Sequence, residues 1–250
     1  DIYSVNQSSL KDAVVHFNGG CTGELISSQG LLLTNHHCGY SQIQSHSTLE
    51  DNYLKDGFWA ASREEELPNK GLYAAIIKEI KDVSNDVLSG TTTEMAEAER
   101  DSIIQSNRQM LLAKMKEAYP KLEFELKDFF FGNQYLLISK TIYNDVRLVG
   151  APPSSVGKYG ADTDNWVWPR HTGDFSIFRI YADVNNQPAD YSADNVPFKP
   201  ARHLKVNIAG VREGDFTMVF GFPGRTEQHL ISNEVEDIVN RINPMRLDMR

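Results

Sequence analysis

Residues 21–38 read CTGELISSQGLLLTNHHC, and this stretch decides which fold the sequence predicts. Residues 24–27 and 31–34 are short β-forming runs on either side of a turn that contains glycine, which is the pattern of a β-hairpin. A cysteine stands at each end of the stretch. Cys21 and Cys38 either meet across the hairpin as a disulfide or remain two buried free thiols, and the cysteines alone leave both alternatives open.

Further β-forming runs follow along the chain, separated by turns that contain glycine or proline. They cover residues 13–17, 72–83, 122–131, 135–149, 175–181, 203–208 and 216–220. Many short strands with such turns predict a mainly β fold, a barrel or a sandwich, with helices inserted into it.

One long segment departs from this β pattern. Residues 91–118 carry apolar side chains at helical spacing, Thr91 and Glu94 have the spacing of a capping box, and Pro120 ends the run. The pattern predicts a helical insertion at about residues 91–119. A further helix is predicted from Thr226, as its N-cap, towards residue 242.

Composition excludes some partners. The formal net charge is −9 and the pI is about 5.3, whereas a nucleic-acid-binding protein usually presents a basic face. No apolar run approaches the length that a membrane span requires. We therefore expect neither a nucleic-acid partner nor a membrane-spanning helix.

Two polar side chains in β-type surroundings have the identities that serine-protease chemistry needs. A serine nucleophile requires an imidazole that accepts its proton and a carboxylate that orients the imidazole. His37 follows the apolar run 31–34, and Asp174 precedes the run 175–181. Each also has an ordinary structural explanation, as a surface histidine and a turn aspartate. The 250 residues contain no Gly-x-Ser-x-Gly string.

A metal site is the alternative use of the histidines. His36 and His37 would bind the ion together with His46 or His171. Adjacent residues on a strand point to opposite faces, however, and neither an HExxH motif nor a Cys/His ligand spacing is present. We therefore expect neither a metal nor an organic cofactor.

The segment around His37 resembles the trypsin-like pattern in which the catalytic histidine adjoins a cysteine, which selects His37 over His36. Longer strings carry a closer resemblance, and they are GCTG at 20–23, TNHHCGY at 34–40, DVRLVGAPPSSVG at 145–157 and DTDNWVWPRHTGD at 162–174. These strings resemble the bacterial dipeptidyl-peptidases of types seven and eleven. Members of that family are chymotrypsin-like serine exopeptidases of the periplasm or cell surface.

The resemblance implies a role for several residues. His37 would be the general base, Asp174 the carboxylate that orients it, and a Cys21–Cys38 disulfide would hold the strand before the histidine. Asn165, Trp166 and Arg170 match family positions near the amino terminus of the substrate. An amide oxygen and an aromatic face suit a free ammonium group, and an arginine can organise nearby carboxylates or carbonyls.

Family members are considerably longer, and they carry the serine, its oxyanion donors and the specificity pocket in a later segment. The resemblance therefore implies that residues 1–225 form the first of two chymotrypsin-like barrels and that residues 226–250 begin an inserted helical domain. Type seven prefers a hydrophobic second substrate residue and type eleven an acidic one, and the sequence leaves this choice open.

The expected whole enzyme releases dipeptides from the amino termini of oligopeptides. Its partners are oligopeptide substrates together with the second barrel and helical domain of the same protein, and an apolar face without its second barrel favours a homodimer. By itself the chain is expected to be inactive. The alternative is a non-catalytic binding module on a protease-like barrel.

Overall fold

A computed structural model describes residues 2–4, 7–161, 163, 167–224 and 230–249. The fold is mainly antiparallel β-sheet with inserted helices, which confirms the coarse prediction from the sequence. The strands are β1 (Val14–Phe17), β2 (Cys21–Leu25), β3 (Leu31–Thr34), β4 (Phe58–Trp59), β5 (Leu67–Pro68), β6 (Ala74–Asp82), β7 (Glu123–Phe129), β8 (Gln134–Tyr143), β9 (Val146–Ala151), β10 (Ser176–Ala182) and β11 (Val196–Pro197).

Short helices connect these strands, and one long helix stands apart. The α-helices are α1 (His36–His46), α2 (Tyr53–Asp56), α3 (Ser84–Val87), α4 (Glu97–Ala118), α5 (Ser154–Gly157), α6 (Ser232–Asp237) and α7 (Asn243–Asp248). Two 3-10 turns, Leu10–Ala13 and Arg63–Glu65, and a π-helical segment, Ile238–Ile242, complete the set in the described ranges.

The strands pair in the order β4-β9-β10-β3-β2-β1-β6-β8-β7, while β11 pairs with β10 and β5 with β9. Strand β10 therefore lies between β3 and β9, and its first residue, Ser176, pairs with Thr34, the last residue of β3. Because β3 and β10 are antiparallel, the end of β3 lies beside the start of β10. The residues that follow Thr34 and those that precede Ser176 consequently meet.

The predicted hairpin is present as β2 and β3. Its turn depends on Gly30, which has a φ of 68°. A Cβ atom there would lie 2.6 Å from the carbonyl oxygen of Ile180 in β10. Glycine supplies both the backbone conformation and the space that this turn needs.

Two apolar clusters stabilise the fold. The larger joins β1, β2, β3, β9 and β10 with α1, and its fully buried members include Phe17, Leu25, Leu32, Ile43, Leu148, Phe178 and Ile180. The smaller lies between β7, β8 and the helices α3 and α4, around Val83, Val87, Ile104, Leu126, Tyr135 and Leu137. His37 and Asp174 lie beside the first cluster, against which Cys38 packs, and the inserted helix α4 packs on the second.

The long helix of the insertion begins later than predicted. Its N-cap is Ala96 and not Thr91, so the predicted capping box is wrong. The Thr91 hydroxyl instead donates to the carbonyl of Leu88 at 2.8 Å. The negative charges of Glu97 and Glu99 in the first turn stabilise the helix, because they lie at the positive end of its dipole. No helix in the described ranges is both long and apolar enough to cross a membrane.

Two of the predicted strands are wrong. The described residues 203–208 and 216–220 contain no strand, and Ile208, Phe216 and Val219 in them are almost fully exposed. A strand requires a partner that pairs with its backbone groups repeatedly. In the described part of the chain, one backbone bond of this kind is made, from the N–H of Leu204 to the carbonyl of Leu25 at 2.8 Å, and one bond does not form a strand.

Two other predictions need adjustment. The run 135–149 is two strands, because the chain turns between β8 and β9 at residues 144–145. The predicted N-cap Thr226 lies outside the described residues, and the described helix α6 begins at Ser232.

Candidate active site

His37 and Asp174 meet at the edge where β3 ends and β10 begins. His37 is the second residue of α1, which starts two residues after Thr34, and Asp174 lies two residues before Ser176. The Ser176 hydroxyl donates to the carbonyl of Asn35 at 2.8 Å, which joins the two strand ends directly. The sheet topology therefore brings together residues that are 137 positions apart.

The two side chains form a hydrogen-bonded pair. Nδ1 of His37 lies 2.7 Å from Oδ2 of Asp174, and the backbone N–H of His37 donates to Oδ1 at 3.0 Å. The side-chain amide of Asn35 donates to the backbone carbonyl of Asp174 at 3.2 Å and to Oδ2 at 3.3 Å. With Nδ1 donating its proton to the carboxylate, Nε2 of His37 is left as a proton acceptor.

Asp174 also acts as the cap of helix α1. The N-cap residue, Asn35, makes no capping bond with its own side chain. The carboxylate of Asp174 instead accepts the N–H of His37, one of the donors that a helix leaves unpaired in its first turn. A negative charge at this end of the helix is also favoured by the helix dipole.

A disulfide fixes the helix that carries His37. Cys21 and Cys38 are bonded with a Cα–Cα distance of 6.1 Å, which confirms the predicted pair. The Thr34 hydroxyl donates to the carbonyl of Thr22 at 2.7 Å and gives a second link between β2 and the end of β3. The first turn of α1 is therefore held to β2 covalently and to β10 by hydrogen bonds.

The side chain of His36 faces the protein interior, whereas that of His37 faces outwards. The His36 side chain is buried, whereas that of His37 is 69% exposed. Burial lowers the pKa of His36, although the nearby Asp174 carboxylate and a hydrogen bond to the backbone of Pro152 act in the other direction. His36 is therefore neutral near neutral pH.

His37 lines a cleft of about 620 Å³. Arg170 and Lys158 line the same cleft, together with Tyr40 and Asp174. The structure therefore brings Arg170 to the cleft of the predicted pair. The other two predicted substrate-binding residues, Asn165 and Trp166, lie outside the described residues.

The histidines of the described residues do not assemble as the metal alternative requires. His46 is hydrogen-bonded through Nε2 to Oδ1 of Asn69 at 3.0 Å, at the far end of α1. Cys21, His37 and Cys38 place their ligand atoms within 4.8 Å of one another. The two sulfur atoms are joined in the disulfide, however, and a metal site would need them as thiolates.

Sequence reasoning missed Asn35, Ser176 and Lys158 as residues of this site. Asn35 had a detectable signal, because asparagine directly before a helix is a preferred N-cap. That signal would have given it the wrong role, since its amide holds Asp174 rather than capping α1. Ser176 and Lys158 have no local sequence pattern that distinguishes them from other polar residues.

The comparison with protein families identifies the group to which this arrangement belongs. The family model described as Peptidase S46 matches residues 1–250. The chain belongs to the peptidase S46 family. This agrees with the resemblance to dipeptidyl-peptidases that the sequence strings carry.

Individual S46 relatives are similar over the whole chain. An Asp/Glu-specific dipeptidyl-peptidase of Capnocytophaga gingivalis is 57% identical over 251 residues, and a dipeptidyl-peptidase 7 of Phocaeicola vulgatus is 48% identical over 254. Each alignment covers 100% of this chain but 35% of the relative. The chain thus spans about a third of the length of these relatives.

A solved S46 structure shares the fold. The crystal structure of Porphyromonas endodontalis DPP11 in complex with the dipeptide Arg-Asp is 51% identical and superposes with a TM-score of 0.90. The match covers 100% of this chain and 36% of that one. The antiparallel sheet and its inserted helices are therefore an S46 feature.

Proposed function

We propose that this chain is part of a serine dipeptidyl-peptidase, which removes dipeptides from the amino termini of oligopeptides. The observation that carries the proposal is the hydrogen-bonded pair of His37 and Asp174, at 2.7 Å, in a chain of the S46 family. The pair supplies a base and its orienting carboxylate. The nucleophilic serine is proposed to lie in the part of the protein outside these 250 residues.

The proposed chemistry follows from the two nitrogens of His37. Nε2 accepts the proton of the serine hydroxyl as the serine attacks the carbonyl carbon of the second substrate residue. The resulting imidazolium is stabilised by the Asp174 carboxylate, which accepts a hydrogen bond from Nδ1–H while the proton stays on Nδ1. Nε2 then donates its proton to the leaving amine. A water molecule, activated by the same nitrogen, hydrolyses the acyl-enzyme.

The sheet is proposed to be the first barrel of a chymotrypsin-like pair, over residues 1–225. Six strands that follow one another in the sheet, β10-β3-β2-β1-β6-β8, support this proposal. The last of them, β8, contacts the first, β10, as the closure of a barrel requires. Tyr143 of β8 also packs on Phe198, whose backbone N–H donates to Ile180 of β10. Residues 226–250 are proposed to begin a helical domain, a view that the described helices α6 and α7 support.

Substrate binding is proposed to involve Asn165, Trp166 and Arg170. An exopeptidase must hold a free ammonium group and exclude longer chains, and an amide oxygen beside an aromatic face suits this task. The position of Arg170 in the cleft of His37 supports its part in the proposal. The roles of the Asn165 amide and the Trp166 indole are proposed from the resemblance to the family alone.

The preferred second substrate residue is proposed to be aspartate or glutamate. Asp/Glu-specific relatives are 57% and 55% identical to this chain, whereas relatives called dipeptidyl-peptidase 7 are 48% and 47% identical. The higher identity favours the acidic preference. The second candidate is the hydrophobic preference of the type-seven enzymes.

The protein is proposed to act in the periplasm or at the surface of a bacterium. The Cys21–Cys38 disulfide supports this, because such bonds persist in oxidising compartments. Its partners are proposed to be oligopeptides and the second barrel and helical domain of the same protein. The exposed apolar residues of 203–220 are expected to pack on that second barrel and helical domain. When residues 1–250 are isolated from those domains, the same exposed residues are expected to cause dimerisation.

The experiment is a substrate comparison with the full-length protein. We expect release of a chromophore from dipeptidyl substrates with a free amino terminus and none from their acetylated forms. Substrates that end in Asp or Glu should be cleaved faster than those that end in Leu. The isolated residues 1–250 should cleave none of them. Binding of peptides without turnover would instead indicate the non-catalytic binding module.

A further inference from the structure

The residue beside the proposed base is a buried histidine. His36 is 1% exposed, and its Nε2 has no hydrogen-bonding partner among the described residues. An unpaired buried polar atom costs free energy, on the order of 1–3 kcal/mol. Packing alone would be served better by an apolar ring of the same size. The polar ring at this position therefore calls for a second role.

We propose that His36 is a positioning residue, which holds the segment 152–157 so that Asp174 meets His37 in the reactive geometry. This inference deepens the proposed function and rests on it. It assigns to His36 no contact with the substrate and no proton transfer.

The ring of His36 lies directly on α5. A Cβ atom at Gly157 would come within 2.4 Å of the Cδ2 and Cγ atoms of the ring, so only glycine permits this approach. The backbone carbonyl of Pro152, at the start of the same segment, accepts a hydrogen bond from the ring. Because Nε2 has no described partner, Nδ1 is the atom that donates to Pro152.

The same segment holds the residue before Asp174. The N–H of Gly173 donates to the carbonyl of Val156 at 3.0 Å. Asp174 then binds both the backbone and the side chain of His37. The contacts therefore form a closed path that runs from His36 to Gly157, from Val156 to Gly173, and from Asp174 back to His37.

Displacement at one point of this path moves the others. If the ring no longer holds the segment 152–157, Gly173 loses its fixed acceptor and Asp174 shifts relative to Nδ1 of His37. A displacement of about 1 Å at such a pair can lower the rate on the order of 100-fold. The lowered pKa of His36 fits this role, because a neutral ring does not compete with His37 for the carboxylate.

Two substitutions separate the positioning role from packing. His36→Phe keeps the ring volume but removes the donor to Pro152. His36→Asn removes ring volume but retains an amide donor where Nδ1 was. In the full-length protein, we expect His36→Phe to retain the melting temperature and to lower kcat on the order of 10- to 100-fold with little change in KM. His36→Asn should unfold at a lower temperature than His36→Phe but should retain a higher kcat.

Two further measurements complete the test. His46→Phe, on the same helix but outside the closed path, is the matched control and should leave kcat unchanged. The downfield proton resonance of His37 Nδ1–H should be present in the wild type, broadened or lost in His36→Phe, and retained in His46→Phe. If the wild type cleaves no dipeptidyl substrate, the proposed function fails, and this resonance still tests the role of His36.

A double-mutant cycle gives an independent check. Gly157→Ala pushes on the ring and should lower kcat in the wild type, but it should cost little more in a His36→Ala background, where the ring is absent. Additive losses would overturn the proposal. So would a His36→Phe variant with unchanged kcat and resonance, or one in which kcat falls only together with the melting temperature.

Discussion

Asp174 binds His37 through both of its carboxylate oxygens, Oδ2 to the ring Nδ1 at 2.7 Å and Oδ1 to the backbone N–H at 3.0 Å. One carboxylate thus sets the tautomer of the ring and the position of the helix that carries it. The ring cannot turn away from the carboxylate without breaking the first bond, and α1 cannot shift without breaking the second.

The first prediction concerns Asp174→Asn in the full-length protein. The amide oxygen can still accept the backbone N–H of His37, but the amide N–H₂ then faces Nδ1. The ring must present Nδ1 as an acceptor, which leaves the proton on Nε2, where the serine needs a base. We expect kcat to fall on the order of 10⁴-fold with the fold retained. Steady-state kinetics and thermal unfolding measure this, with the exposed Asp128→Asn as the control. A loss of less than about tenfold would contradict the assigned role.

The second prediction concerns the disulfide. The bond joins residues 17 positions apart, and in the chain-entropy model a loop of this size contributes about 3 kcal/mol. The Cys21→Ser/Cys38→Ser variant should therefore unfold at a lower temperature. Wild type with its disulfide fully reduced should unfold at the same temperature as that variant. If full reduction, checked by thiol titration, leaves the unfolding temperature unchanged, the disulfide does not stabilise the fold.

The third prediction concerns a buried ion pair between Arg179 of β10 and Glu66. Nε of Arg179 lies 2.8 Å from Oε1 of Glu66, whose side chain is 2% exposed and also accepts the Tyr181 hydroxyl at 2.8 Å. Arg179→Met should destabilise the fold by about 3–5 kcal/mol, because it leaves a buried carboxylate unpaired. Arg241→Met removes the exposed pair with Asp237 and should change little. Chemical denaturation compares the two, and equal effects would show that burial is not the cause.

The fourth prediction concerns acid. Burial lowers the pKa of both His36 and His16 below the ordinary value of 6.5. In the pH range between the unfolded and folded pKa values, the unfolded chain binds protons that the folded chain does not, so the free energy of unfolding falls as the pH falls. The contribution of these two neutral histidines to the free energy of unfolding should therefore be complete above about pH 7 and should decline below about pH 6.5. Unfolding temperatures across this range should decline less steeply in His36→Phe, and an equal slope would contradict the assignment.

The sequence predicted the parts of the fold that local patterns encode. The hairpin of β2 and β3 follows from two apolar runs around a glycine turn, and Gly30 is the residue that the turn requires. The strands next to His37 and Asp174, which are β3 and β10, were also placed correctly. Their pairing was not accessible from local patterns, because the contact of β3 with β10 depends on the path of the whole chain.

The wrong predictions came from β-forming residues outside strands. Phe130 and Phe131 continue the apolar run of β7, but both have positive φ angles and form the turn into β8. Residues 203–208 and 216–220 have strand composition but no partner strand in the described part of the chain. Intrinsic preference for β structure is weak when no neighbouring strand provides hydrogen bonds and packing.

The start of α1 was missed for a different reason. His36 and His37 follow an apolar strand and have no strong helical preference, so the sequence predicts no helix at this point. The helix is fixed by Asp174, which caps its first turn from a distant part of the chain. The same contact that forms the candidate site therefore also determines the local structure at His37.

We propose above all that His37 is the general base of a dipeptidyl-peptidase whose serine lies elsewhere in the protein. The most direct test is the kcat of His37→Ala in the full-length protein on a dipeptidyl substrate with a free amino terminus. We expect a fall on the order of 10⁴- to 10⁶-fold with the unfolding temperature little changed. Activity that survives the substitution at a level near that of the wild type would show that His37 is not the base.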